Sequence, residues 1–195
     1  MRKITLTIII ATTVITGAWS QVNFGIKAGV NIASQVYTGG GVTYSPSAII
    51  GFHGGAYVHA KFGKFGVQPE AYYSMAGSKA SGTGASNAIK TNYISVPILL
   101  RWNITDAFNL HAGPQFGLLV SAKQTLNGTT TDIKNQVKSG DFSIAGGAGF
   151  DLPMGLNGGA RVVAGMADIN KSSTSSTTTK NFIFQVYLGM KLMGK

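Results

Sequence analysis

Three histidines and six carboxylates carry most of the acid–base chemistry open to this 195-residue chain, and their spacing argues against a catalytic or metal centre. His53 and His59 share one face of an extended run but stand six residues apart. At about 3.3 Å per residue that is roughly 20 Å, too far to share a metal. His111 belongs to another run. No GxSxG, HExxH, Walker or complete GxGxxG pattern occurs, and the absence of cysteine removes disulfides and thiolate chemistry. No catalytic residue, metal ligand or cofactor site is therefore expected. A different set stands out. Lys27, Arg101, Arg161 and Lys191 fall on the same parity as Glu70 and Asp151 in successive alternating segments, among Tyr57, Tyr72, Gln115, Gln185 and Tyr187. Charges gathered on one shared face away from water must pair, because an unpaired buried charge is costly.

The elements that would hold this set are strands. Lys90–Val120 contains two apolar runs around the turn-like Asn103–Asp106. Ile94, Val96, Ile98, Leu100 and Trp102 oppose Tyr93, Ser95, Pro97, Leu99 and Arg101. Phe108, Leu110, Ala112, Pro114, Phe116, Leu118 and Val120 oppose Asn109, His111, Gly113, Gln115, Gly117 and Leu119. A period of two around a short polar turn is a β-hairpin. The same alternation recurs in Val22–Ala33, Ile50–Ala60, Phe65–Met75, about Asp141–Leu152, about Leu156–Asp168 and Asn181–Met193. That makes about eight strands.

The connections alternate in character. Gln35–Ser45, Ser78–Lys90, Lys123–Gly140 and Lys171–Lys180 read as long polar loops, while Lys61–Lys64, Asn103–Asp106 and Pro153–Gly155 are short. Tight turns at one end, long loops at the other and an even strand number describe an outer-membrane barrel. The sequence thus predicts an all-β, eight-stranded antiparallel up-and-down transmembrane β-barrel. Aromatics near strand ends (Phe24, Phe65, Tyr73, Trp102, Phe108, Phe150, Phe182) fit an interfacial girdle. Pro69, Pro97 and Pro114 lie inside strands, where each removes a ladder donor, and are expected at bulges.

The start of the chain sets the compartment. Met1-Arg2-Lys3 is basic, Ile4–Ile15 is apolar, and Ala18 and Ser20 are small residues before Gln21. Residues 1–20 read as a secretory signal peptide cleaved after Ser20, leaving 21–195 as one barrel domain. With Arg2 and Lys3 gone, sixteen basic residues become fourteen against six acidic. A basic exported chain without stacking aromatics on a basic face points away from nucleic acid and towards outer-membrane lipid and lipopolysaccharide. A monomer is expected, and no protein partner is identified.

Four blocks resemble a known family. Phe24–Asn31, Gln68–Ser74, Tyr93–Trp102 and Ala112–Gly117 are similar, in order, to recurring blocks of the small porin-like outer-membrane β-barrel family. The resemblance covers essentially the whole mature chain, and the proline-containing Tyr93–Trp102 block is its most specific part. It implies an eight-stranded outer-membrane barrel with tolerated prolines, and it implies little biochemistry.

Function remains open between several readings. The inward set is either a polar plug or, because its charge is net positive and many inward positions are glycine, a thin pore favouring anions. An enzyme modifying lipid from the outer rim and a soluble ligand-binding barrel are the alternatives to a non-enzymatic membrane barrel. Glu70, six residues beyond Lys64, is expected near mid-height as the central counter-ion, with Arg101 on the adjoining strand favoured as its partner.

Overall fold

The computed structural model describes residues 21–82, 85–171 and 177–194. The expected signal peptide, residues 1–20, and the centre of the Lys171–Lys180 stretch lie outside the described residues.

Ten strands form in chain order: β1 (Gln21–Gly39), β2 (Val42–Tyr44), β3 (Ile49–Phe62), β4 (Phe65–Gly82), β5 (Ala85–Asn103), β6 (Phe108–Leu126), β7 (Thr129–Asp132), β8 (Gly140–Asp151), β9 (Leu156–Gly165) and β10 (Thr178–Met193). Eight of them, all but β2 and β7, make an antiparallel ring. Each stave pairs with the next along the chain, and β10 pairs back onto β1 from Thr38↔Thr178 to Phe24↔Met193. Closure gives every stave two neighbours, the only way a sheet can satisfy its backbone in lipid. Among the described residues no helix is long and apolar enough to cross a membrane; the crossing is made by strands.

The alternation fixes which face is which. Along β10, Phe182, Phe184, Val186, Leu188 and Met190 are exposed while Asn181, Ile183, Gln185 and Tyr187 are buried. β1 and β5 behave alike: Ile26, Val30 and Ile32, then Ile94, Val96, Ile98, Leu100 and Trp102, all point outward. Outward aromatics gather at two heights. Phe65 pairs with Trp102 and Phe108 with Phe150 at the short-turn end. Further up, Phe52 stacks on Tyr73 at 5.8 Å and Phe116 lies 5.3 Å from Phe142. An apolar belt of this extent far exceeds what a water-soluble surface carries.

Two expectations need correction. Ser78–Lys90 is not a loop: Ser78↔Ile89, Lys79↔Ala88 and Ala80↔Asn87 continue the β4–β5 ladder, which runs out to Gly82↔Ala85. Likewise β2 pairs with the end of β1, and β7 with the end of β6, inside stretches read as loop. Gly/Ser/Thr-rich composition resembles loop, but ladder bonds are made by backbone, and two neighbouring strands that rise together continue to pair. The prolines also do not mark bulges. Registers run unshifted past all three, and the shifts fall instead at Phe24/Gly25 and Asn92/Tyr93. Each proline interrupts pairing on one side only. Pairing lapses between Tyr57↔Glu70 and Ala60↔Val67 beside Pro69, while Pro69↔Ile98 is kept. Pro97 keeps Gln115, and Pro114 keeps Ile144. A missing N–H faces one neighbour, so the other ladder is untouched.

Candidate functional site

The interior divides into three layers along the axis. At mid-height, Glu70 of β4 meets Arg161 of β9 and Lys27 of β1. The Arg161 fork donates Nη1 to Oε2 at 2.9 Å and Nη2 to Oε1 at 3.0 Å. Lys27 Nζ donates to Oε2 as well, and Gln68 Nε2 donates to Oε1 at 2.8 Å. Glu70 thus accepts four charge-assisted or amide bonds, the arrangement in which a buried carboxylate is tolerated. One carboxylate for two cations leaves a positive excess, and aromatic faces take it up. Lys27 Nζ lies 5.1 Å from the ring centre of Tyr72 and 4.8 Å from that of Tyr187, and Arg161 Cζ lies 5.4 Å from Tyr187.

Hydrogen bonds spread outward from this cluster. Arg161 Nε donates to His111 Nε2 at 3.3 Å, so that nitrogen is the bare one and Nδ1 carries the proton towards Asn109 Oδ1 at 3.2 Å. Tyr72 donates its hydroxyl to Gln115 at 2.7 Å. Gln185 and His53 both reach Asn31 Oδ1, at 3.1 and 2.7 Å. All of these residues are buried.

Below, at the short-turn end, a wetter layer is built around Arg101. Its Nη2 donates to Asp151, Nε donates to Asn103 at 3.0 Å, and Nη1 donates to Gln68 Oε1 at 3.0 Å. Gln68 therefore joins the layers, giving its amide hydrogen to Glu70 and its oxygen to Arg101. A cavity of about 350 Å³ opens here, lined by Tyr57, His59, Lys61, Arg101, Asp151 and Lys191 among others. Above, towards the long-loop end, Ile49, Leu119, Val163 and Ile183 pack with Ile133, which enters from the segment after β7, beside a buried polar chain in which Ser78 and Asn181 both bond Gln35. Asp168 ties this end together, accepting the N–H of Thr179 at 2.8 Å and of Asn170 at 3.0 Å, with Lys138 at 3.4 Å.

Five of the six charged residues of the sequence reading are linked by hydrogen bonds, in two groups that Gln68 joins. Lys27, Glu70 and Arg161 form the central cluster. Arg101 and Asp151 form a second pair, and Lys191 stands exposed at the cavity rim. The favoured Glu70–Arg101 contact is replaced by Glu70–Arg161. β4 and β9 sit four places apart in a ring of eight, so they face each other across the axis. In so narrow a barrel a long side chain reaches the opposite wall, and adjacency in the sheet is a poor guide to pairing. Several inward glycines stand against packed neighbours. A Cβ at Gly25 would collide with the Tyr57 ring, at Gly29 with the His53 ring, and at Gly159 with the Tyr187 hydroxyl. Glycine here makes room for an aromatic neighbour.

A closed eight-stave ring, an outward apolar belt and a polar, charge-paired interior are now in view, and a family model for the outer membrane protein beta-barrel domain matches residues 16–171. The chain belongs to that family. Comparison of its sequence with curated proteins finds no match. The fold is similar to Neisserial surface protein A, at 12% identity and a TM-score of 0.54, covering 87% of this chain and 97% of that one. Fold comparison also finds the attachment invasion locus protein of Yersinia pestis, at 14% identity, a TM-score of 0.45 and coverages of 86% and 99%. The outer membrane protein OprG from Pseudomonas aeruginosa matches at 15% identity, a TM-score of 0.45 and coverages of 90% and 98%. Identities this low speak to fold alone. The protein is an integral β-barrel of the bacterial outer membrane.

Proposed function

We propose that this barrel is a sealed, non-enzymatic scaffold that carries its long hairpins outside the cell, and that it conducts nothing. The observation that supports this reading is the Glu70 cluster. A carboxylate on one wall is gripped by a guanidinium from the opposite wall, and both side chains have no exposed surface. A solute passing there would have to break that fork and strand its charges, at a cost of several kcal/mol, about 3–5 for such a pair. The apolar filling around Ile133 lies in series with it.

The finer features follow. The chain is cleaved after Ser20, and the mature N-terminus is Gln21 at the periplasmic, short-turn end. The barrel is a monomer, since a closed ring leaves no long free edge to pair with another copy. The long-loop end carries Lys79, Lys90, Lys123, Lys134, Lys138, Lys171 and Lys180. It faces the anionic lipopolysaccharide of the outer leaflet. All three histidines are buried inside the barrel, which supports a reading without an imidazole base at the outer rim. Planar-bilayer recording of the refolded mature protein tests the central point. No steady conductance is expected, whereas defined single-channel steps selective for anions would establish the thin pore instead.

A further inference from the structure

Where the wall made by β4, β5 and β6 leaves the apolar belt, it turns abruptly basic. Outward residues of β5 run from Trp102 through Ile98 and Ile94 to Asn92 and then Lys90. On β6 they run from Leu110 through Leu118 and Val120 to Ser121 and then Lys123. Asn92 and Ser121 are partners, joined Nδ2 to Oγ at 2.8 Å, and close the belt with a polar rung. The next outward pair up is Lys90↔Lys123, two exposed lysines directly opposite each other. Lys79 on β4 is exposed too, and it pairs with Ala88, diagonal to Lys90 on the same face.

Like charges directly opposite in a sheet repel, with Cβ atoms only about 5 Å apart. Asp132 of β7 stands opposite Lys123 in register and keeps its negative charge there, although its Oδ1 accepts the backbone N–H of Lys134 at 2.8 Å. One carboxylate against three lysines leaves the patch net positive. Among the described residues the ion pairs involve Lys27, Lys61, Arg101, Lys138 and Arg161, and none of these three lysines. The height of the rung matters as well. From Trp102 in the lower girdle to Lys90 is about a dozen residues, or about 40 Å of strand. Tilted by about 40°, that spans about 30 Å along the membrane normal, the thickness of the hydrocarbon core. The lysines therefore stand at a headgroup layer, facing lipid and not the barrel interior.

We propose that Lys79, Lys90 and Lys123 form a docking site for the phosphate groups of lipopolysaccharide in the outer leaflet. The site rests on the reading that the long-loop end meets this glycolipid, and adds to it which residues do so and through which group. Three compact ammonium charges on flexible stems can close on one phosphate from different sides, and an anion there turns the repulsive rung into an attractive one.

The test uses the refolded mature barrel in neutral detergent, with lipopolysaccharide binding followed by native mass spectrometry. A juxtamembrane lysine contributes about five-fold to binding an anionic lipid, so the combined K79Q, K90Q, K123Q variant should bind on the order of a hundred-fold more weakly. A control with the same charge change at the same end, K134Q, K138Q, K171Q, should weaken binding far less than the triple variant does. Dephosphorylated lipopolysaccharide should bind the parent as weakly as the intact lipid binds the triple variant. Lys90→Glu supplies an independent sign: it should weaken lipid binding while leaving unchanged or raising the melting temperature in detergent, because it relieves the repulsion. Equal losses in the triple variant and the control, or none in the triple variant, would overturn the site while leaving the glycolipid as partner. A parent barrel that binds lipopolysaccharide no better than phosphatidylethanolamine would overturn both.

Discussion

Glu70 and Asp151 are the same chemistry in two settings. Each carboxylate is held by an arginine, Arg161 or Arg101, and Gln68 touches both assemblies. Their access to water differs. The Glu70 side chain has no exposed surface, and that of Asp151 is 38% exposed on a cavity open at the short-turn end. Their neighbours differ too. Glu70 answers two cations, so its loss leaves both without a carboxylate, whereas Arg101 without Asp151 keeps Gln68, Asn103 and water. The lesson is that an ion pair contributes according to what replaces it when it is broken.

The largest effect should come from Glu70→Gln. Lys27 and Arg161 would then share a layer without exposed surface with nothing but a neutral amide between them, and stability should fall by about 3–5 kcal/mol. Urea unfolding in lipid vesicles gives the number. Adding Lys27→Met to Glu70→Gln should recover part of the loss, since one stranded charge goes with it. A cost below about 1 kcal/mol for Glu70→Gln would mean water reaches the cluster, which would erase the contrast with Asp151 and revive the thin pore.

Somewhat smaller is the effect expected on the other side of the wall. Val186 sits in the middle of the outward run Phe182–Met190, half-exposed and flanked by Val30 and Ala160. Val186→Arg places an unpaired charge near the bilayer midplane and should cost about 2–4 kcal/mol in the same vesicle assay. Met154→Arg, at the exposed tip of a short turn, should cost almost nothing. Equal costs at Val186 and Met154 would mean that the outward belt is not in lipid.

How far the sequence reached follows from the range of each interaction. Inside and outside were legible at once, because a period of two is carried by each strand alone: Val186 outward and Gln185 inward needed no partner. Closure and strand order were also within reach, since each hairpin pairs neighbours in the chain. The pairing of Glu70 was not, because Arg161 lies ninety-one residues away and across the axis. The hairpin extensions were hidden for a different reason. Ser78 and Ala80 lack strand-like side chains, and their pairing is decided by the backbone of Ile89 and Asn87 rising beside them. The apolar cluster in the upper layer was missed because Ile183 and Leu119, one at a time, look like exceptions on a polar face. The proline bulges failed on geometry: a residue without N–H costs one rung on one side and need not shift the register.

The smallest effect is the most exacting test of the contrast. Asp151→Asn keeps the shape of the side chain and removes its charge, on a group more than a third exposed. Solvent screening discounts the short Arg101–Asp151 contact, and the expected loss is under about 1 kcal/mol. Arg101 would still donate to Asn103 and Gln68, each at 3.0 Å, and the open cavity would solvate the rest of the guanidinium. Exposed Lys191 and half-buried Lys61, which pairs with Asp106 at 3.6 Å, line the same cavity and add no second charge to Arg101. The parent and Asp151→Asn should therefore converge in stability as salt is raised from about 0.05 to 0.5 M, since screening acts within a Debye length of about 10 Å or less over most of that range. The gap between the parent and Glu70→Gln should not move, because the Glu70 and Arg161 side chains have no exposed surface. A double-mutant cycle of Arg101→Met with Asp151→Asn gives the coupling directly, and it should stay under about 1 kcal/mol. A coupling of about 3 kcal/mol or more, insensitive to salt, would mean the short-turn cavity is as dry as the centre, and the two carboxylates would then be one buried network joined through Gln68.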